Sequence, residues 1–124
     1  HIGITSTHGN PYRWMGELLR KRLGAQTFHI GLFAREGAYY EWWTRLQKPF
    51  LQNKSNQLEQ KMAAAQKPIC FLNLAAIGRN RSNEWLFKPV QAFEPENDKQ
   101  VKFVPVKRFD AMIYFQRVKP PVYE

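Results

Sequence analysis

A chain of 124 residues has the length of one domain and no room for a second, and 44% hydrophobic with 15% aromatic residues is enough apolar mass for a core and too much for a disordered tail. No run approaches the roughly 18 apolar residues of a membrane span, so no membrane partner is expected, and no segment has the order of a secretory signal. The net charge of +9 admits nucleic acid or an acidic substrate as partner, yet the basic residues are scattered along the chain and only Arg20, Lys21 and Arg22 form a run.

The first predicted element is a helix opened by Asn10 as N-cap and Pro11, whose missing N–H is harmless in a first turn. Trp14, Met15, Leu18, Leu19 and Leu23 recur at helical spacing, and Gly24 ends the run as a C′ residue. Glu17 early and Arg20 to Arg22 late suit the helix dipole, an explanation of the basic run that competes with nucleic-acid binding. Thr27 to Phe33 reads as a strand, with Arg35 to Tyr40 in the loop that follows it. From there to Lys54 the pattern is poor, and Pro49-Phe50 argues against a continuous helix.

Ser55 is the expected cap of a second helix carrying Leu58, Met62 and Ala65 and ending near Gln66. Pro68 to Leu74 follows as a nearly continuous apolar strand, the pattern of a strand covered on both faces. Gly78 to Asn83 and Glu94 to Asp98 are polar turns, and Val101 to Val106 is a short edge strand interrupted by Pro105. Ala111 to Phe115 is the last strand, closed by Pro120-Pro121. The alternation predicts an α/β fold: a small, mostly parallel sheet flanked by helices. Three such strands leave the sheet uncovered, so it is expected to need a partner, either preceding polypeptide or a second copy of the chain.

Cys70 is the single cysteine and lies within an apolar run, so internal disulfides and multi-cysteine metal sites are excluded and a small buried hydrophobe is expected. The three histidines, His1, His8 and His29, have no clustered carboxylates and no His-x-x-x-His spacing, and neither a metal nor a cofactor is expected. His29 falls within the first strand pattern and reads as structural. Arg35 and Glu36 follow that predicted strand, at the edge where open α/β sheets place ligands, although an exposed ion pair would account for them as well. Tyr39, Tyr40, Trp42 and Trp43 are suited either to stacking on a ligand or to packing against further protein.

Several of these segments, in this order, resemble the last part of the erythromycin esterase domain. His1-Ile2 is similar to the end of the family's His-Asn-x-His-Ile motif, and Met15-Gly16-Glu17-Leu18-Leu19 with Leu23-Gly24 to its Met-Gly-x-x-Leu helix. Phe28 to Phe33 with Arg35-Glu36-Gly37 resembles its aromatic strand and Gly-containing loop. Leu58-Glu59 and Phe71-Leu72-Asn73-Leu74 resemble its Leu-Glu helix and Leu-Asp-Leu strand, and Phe109 to Tyr114 its late Phe-Asp-Ala-x-Ile strand.

The resemblance implies a C-terminal segment of a larger α/β hydrolase domain, one that cleaves a carboxylic ester of a small molecule with histidine-activated water. His1 is the matched catalytic position, and its near-neutral titration suits a general base. His8, Arg35, Glu36 and Gly37 are the candidate substrate-binding residues. The family's Gly-Glu-x-x-His-Gly motif has no counterpart in these residues, so the isolated segment is expected to be inactive. Leu72-Asn73-Leu74-Ala75 stands where the family has Leu-Asp-Leu-Arg, which puts erythromycin itself in doubt as substrate. The competing reading is a basic nucleic-acid-binding module, for which no RNP, KH or helix-turn-helix pattern is visible.

Overall fold

The computed structural model describes residues 15–41, 44–94 and 99–120. Asn10, Pro11, Trp14, Trp42, Trp43 and Pro121, like His1 and His8, lie outside the described residues. Helix α1 (Met15–Leu23) ends as expected: Gly24 adopts φ +54°, a left-handed conformation that glycine enters without a Cβ clash, and leads into a 3-10 turn.

The main sheet has the order β2-β1-β6-β3, built from β1 (Ile30–Glu41), β2 (Leu46–Leu51), β3 (Ile69–Asn73) and β6 (Ala111–Val118). It is mixed rather than mostly parallel: β1 and β6 are parallel, whereas β1–β2 and β3–β6 are antiparallel. The cause is connection length. Only residues 42–45 separate β1 from β2, far too few for the crossover a parallel pair requires, whereas most of the chain intervenes between β1 and β6.

β2 stands where the sequence pattern is poor. Pro49 sits within it, opposite Ala38, and is tolerated because β2 is an edge strand whose outer side needs no N–H. A separate hairpin, β4 (Val90–Glu94) with β5 (Lys99–Phe103), forms a two-stranded sheet of its own. β4 went unpredicted and β5 begins two residues before the expected Val101. Pro105 does not merely interrupt that strand; it opens the short helix α3 (Pro105–Arg108). Helix α2 (Leu58–Ala63) is capped by Gln57, not Ser55, and Gln57 Oε1 accepts the Lys54 N–H at 2.8 Å.

The two faces of the main sheet differ sharply. Phe33 of β1, Met112 and Tyr114 of β6, and Cys70 and Leu72 of β3 share the inner face, with Phe33 and Cys70 both in register with Tyr114. Leu58 and Met62 of α2, Leu86, Val90, Ala92, Phe103 and Phe109 close over it as one buried core. Phe33, Phe103 and Phe109 pack there with ring centroids 5.7–6.0 Å apart. Cys70 is half-buried at its margin.

The outer face carries Leu32, Ile113 and Phe71 in one register row and Phe115 with Ile69 in another. Leu32 is 65% exposed, Ile69 60% and Phe71 59%, so the expectation that the strand from Pro68 is covered on both faces is corrected: its outward residues face solvent. Met15, Leu18, Leu19 and Leu23 leave the apolar stripe of α1 exposed as well, and Ala65, expected on the α2 stripe, is also exposed.

Candidate functional site

Arg35, Glu36 and Gly37 do not lie in a loop after the first strand. They are part of β1, which continues beyond them as the partner of β2. The loop expectation failed because β1 changes partners along its length: residues up to Gly37 pair with β6, and those from Glu36 onward pair with β2. The three residues nevertheless mark the carboxyl end of the parallel ladder, whose last register pair is Gly37 with Val118. That is the edge at which open α/β sheets place ligands.

Strand alternation sends Arg35 and Glu36 to opposite faces, so they do not form the neighbouring ion pair considered above. Glu36 faces outward, and its Oε1 accepts from Arg117 Nε at 3.0 Å and Nη2 at 2.9 Å. These two side chains, with Pro68, Ile69, Phe115 and Gln116, line an open concavity of about 350 Å³ on the outer face. Arg35 faces inward. Its Nε is buried without a hydrogen-bond partner among the described residues, and its charge lies close enough to the Tyr114 phenol to oppose the upward shift that burial imposes on it. Gly37 has φ +144°, and a Cβ there would fall 2.0 Å from the Val118 carbonyl oxygen. Glycine is thus required by the close approach of β1 to the end of β6.

Beside this edge is an apolar hollow of about 260 Å³ lined by Phe33, Tyr39, Phe50, Phe93, Phe115 and others. Tyr39, which was open to either stacking on a ligand or packing, sits 6.2 Å from Phe50 and 6.0 Å from Phe93 by ring centroids, and Phe50 stacks on Phe93 at 5.3 Å. These rings come from β1, β2 and β4. Two of those strands went unpredicted, which is why the hollow could not be seen in the sequence.

The opposite end of the parallel pair is fastened by charge. Asp110 Oδ2 accepts the His29 backbone N–H at 2.7 Å and the Arg20 guanidinium of α1. The His29 ring is buried rather than on a half-exposed face, with Nδ1 3.4 Å from Asp110 and Nε2 3.1 Å from the Gly16 carbonyl. Burial pushes the Asp110 carboxyl up, but the His29 N–H and the Arg20 guanidinium outweigh it and hold the group below its ordinary value. His29 therefore has a structural role, as expected, with a different surrounding.

Arg20 is thereby committed to a carboxylate, as are Lys48, Arg79, Lys88, Lys99 and Arg117. Among the described residues no group of three or more His, Cys, Asp and Glu side chains is placed to hold a metal ion, and no helix is long and apolar enough to cross a membrane.

Sequence reasoning gave no role to one group of note, Glu59. It is 1% exposed on α2, between the inner face and the hairpin. Its sequence signals were the Leu58-Glu59 pair noted above for its resemblance to a Leu-Glu helix, and its place three residues before Met62, on the buried side of the helix.

Among solved structures the chain is similar to a Bacillus cereus protein, with a TM-score of 0.80 and 19% identity over 100% of this chain and 33% of that one. It is also similar to a succinoglycan biosynthesis protein, with a TM-score of 0.75 and 13% identity over 96% of this chain and 31% of the other. At these identities the likeness establishes the fold, and the chain spans about a third of the length of either structure. No curated protein matches it. The erythromycin esterase family profile matches residues 1–118, nearly the whole sequence and in keeping with the ordered motifs from His1-Ile2 to Tyr114, and the chain belongs to the erythromycin esterase family.

Proposed function

We propose that this chain is the C-terminal segment of an esterase-like hydrolase domain that cleaves a carboxylic ester of a small molecule by histidine-activated water. The observation that carries the reading is the contrast between a family match over residues 1–118 and a sheet with one apolar face bare. A sheet with helices and a hairpin on one side and Leu32, Ile69 and Phe71 open on the other has the surface to seat another layer of polypeptide. The two solved structures, each about three times as long, have the length for such a layer.

In this reading His1 accepts the proton of the attacking water, and preceding polypeptide brings the remaining catalytic groups. Arg35, Glu36 and Gly37 stand at the carboxyl edge of the parallel ladder, and in this reading the substrate lies across that edge, with Arg35 toward the inner face and Glu36 toward the outer one. Arg35 offers a half-buried positive charge to an ester or carboxylate oxygen, and Gly37 lets β1 run close to Val118. His8 supports the site from the segment next to His1.

Hydrolysis of a p-nitrophenyl ester tests it, comparing this chain with the protein extended upstream of His1 by the sequence its gene supplies. The expected result is turnover by the extended protein alone, lost in His1→Ala and reduced about 10- to 100-fold in Arg35→Ala, as for removal of a group that stabilises developing charge. Equal turnover by this chain alone would show that no further catalytic groups are needed and would overturn the proposal.

A further inference from the structure

The β4–β5 hairpin shares no backbone ladder with the main sheet. Besides burying Val90, Ala92 and Phe103 in the core, it is joined to α2 and to the segment before α2 by a short seam of polar contacts. The Asn56 side chain donates to Gln91 Oε1 at 2.6 Å, the Gln91 N–H donates to the Asn56 carbonyl at 3.3 Å, and Gln100 Nε2 donates to Gln52 Oε1 at 2.8 Å. At the buried end of the seam, Glu59 Oε1 accepts the backbone N–H of Phe93 at 2.9 Å. That N–H points away from β5, and the carboxylate of α2 satisfies it.

The other carboxyl oxygen, Oε2, is buried and has no hydrogen-bond partner among the described residues. An ionised carboxylate left half-satisfied out of water is strongly unfavourable, and a neutral carboxyl in the same place, though its O–H lacks an acceptor, costs much less. Burial pushes this group up to about 7, opposed only by the backbone N–H groups of Phe93 and of Glu59 itself.

The charged and titratable groups on the elements packed against α2 do not neutralise it. Glu41, on the inner face of β1, is committed to Lys48 and Thr44. Arg35 and Tyr39 share that face, Tyr114 lies on β6 and Glu94 on β4, and Lys61 is on α2 itself. None of them is hydrogen-bonded to Glu59 Oε2.

We propose that Glu59 is a proton-operated clasp: neutral, it holds the β4–β5 hairpin closed on α2, and ionised, it draws water into the seam and loosens the hairpin. The Phe93 ring, one wall of the aromatic hollow beside β1, moves with it. The device stands independently of ester hydrolysis, since no proposed catalytic residue takes part.

Amide hydrogen exchange at pH 4 to 8.5, corrected for the intrinsic chemical rate, tests it in the intact chain. Protection of residues 90–94 and 99–103 is expected to fall as the pH rises from about 4.5 to 7, by up to about tenfold per pH unit, and to level off above 7, with β1 and β6 unchanged. Glu59→Gln, which keeps a carbonyl acceptor for the Phe93 N–H, is expected to remove the pH dependence. Constant hairpin protection in the wild type, an equal fall in β1 and β6, or an equal fall in Glu59→Gln overturns the clasp. Should that variant fail to fold, the carboxyl carbon resonance of Glu59 in the wild type decides: a titration midpoint near 7 supports the clasp, and one below 5 overturns it.

Discussion

The inner and outer faces of this sheet are made from the same strands, alternate residue by residue, and have opposite fates. Along β6, Met112 and Tyr114 are sealed under α2, the hairpin and Phe109, while Ile113 and Phe115 between them look out with Leu32, Phe71 and Ile69. The residue types do not distinguish the faces, because both are apolar. What distinguishes them is whether polypeptide is present to lie on top, and this places the stability of the chain on one face and the seat proposed for the rest of a hydrolase on the other.

If that division holds, substitutions on the two faces separate in a urea titration. Leu58→Ala, at a fully buried position of α2, is expected to destabilise the chain by about 3 kcal/mol through lost burial and the cavity left behind. Leu32→Ala, on the open face, is expected to change stability by less than about 0.5 kcal/mol. Similar losses at both positions would mean that the outer face is packed in solution.

Over the inner face α2 holds a buried acid, Glu59, whose effect on stability has the opposite sign to that of Asp110, just before β6. The carboxyl of Glu59 is raised from 4.5 to about 7, so the folded state holds its proton while the unfolded chain has released it. Stability therefore falls as the pH rises from about 4.5 to 7, by at most about 3 kcal/mol. The loss is expected in the wild type and absent from the difference between wild type and Glu59→Gln only if another group is responsible.

Asp110 is lowered from 3.8, so its contribution is complete above that ordinary value and lost as the pH falls through the lowered one. Removing its acceptor role in Asp110→Ala orphans the His29 N–H and the Arg20 guanidinium, and about 2 kcal/mol is expected. The same titration reads both acids, and a stability that rose between pH 5 and 7 would contradict the Glu59 assignment.

Gly37→Ala is expected to cost about 2 kcal/mol, since the new Cβ meets the Val118 carbonyl in a backbone conformation that suits glycine. The smallest effect belongs to the exposed Glu36–Arg117 pair. Arg117→Ala should change stability by no more than about 0.5 kcal/mol and less at high salt.

The sequence exposed the long, strongly patterned elements and hid those defined by their neighbours. α1 and its stop at Gly24 followed from helical spacing and a glycine; β3 and β6 followed from apolar runs. β2 escaped because Pro49 disrupts the pattern, a residue acceptable only at a sheet edge, and edge status is a tertiary fact. The mixed sheet escaped for the same reason: without β2, the short turn that forces an antiparallel pair was invisible. Arg35, Glu36 and Gly37 were singled out from their position after an apolar run, and the structure gives Gly37 a backbone reason, Glu36 a partner across the strand and Arg35 a half-buried place beside Tyr114. Glu59 offered only its company on the buried side of α2 and its place in the Leu58-Glu59 pair, because one sequence cannot show that its second oxygen would find no donor.

The central claim, one finished face and one awaiting cover, is tested most directly by hydroxyl-radical footprinting of the side chains. In this chain as a monomer, Leu32, Ile69 and Phe71 are expected to be modified readily and Leu58, Met112 and Tyr114 to be protected; in the protein extended upstream of His1, all six are expected to be protected. Outer-face side chains that are shielded in the isolated monomer, or that stay reactive in the extended protein, would contradict it.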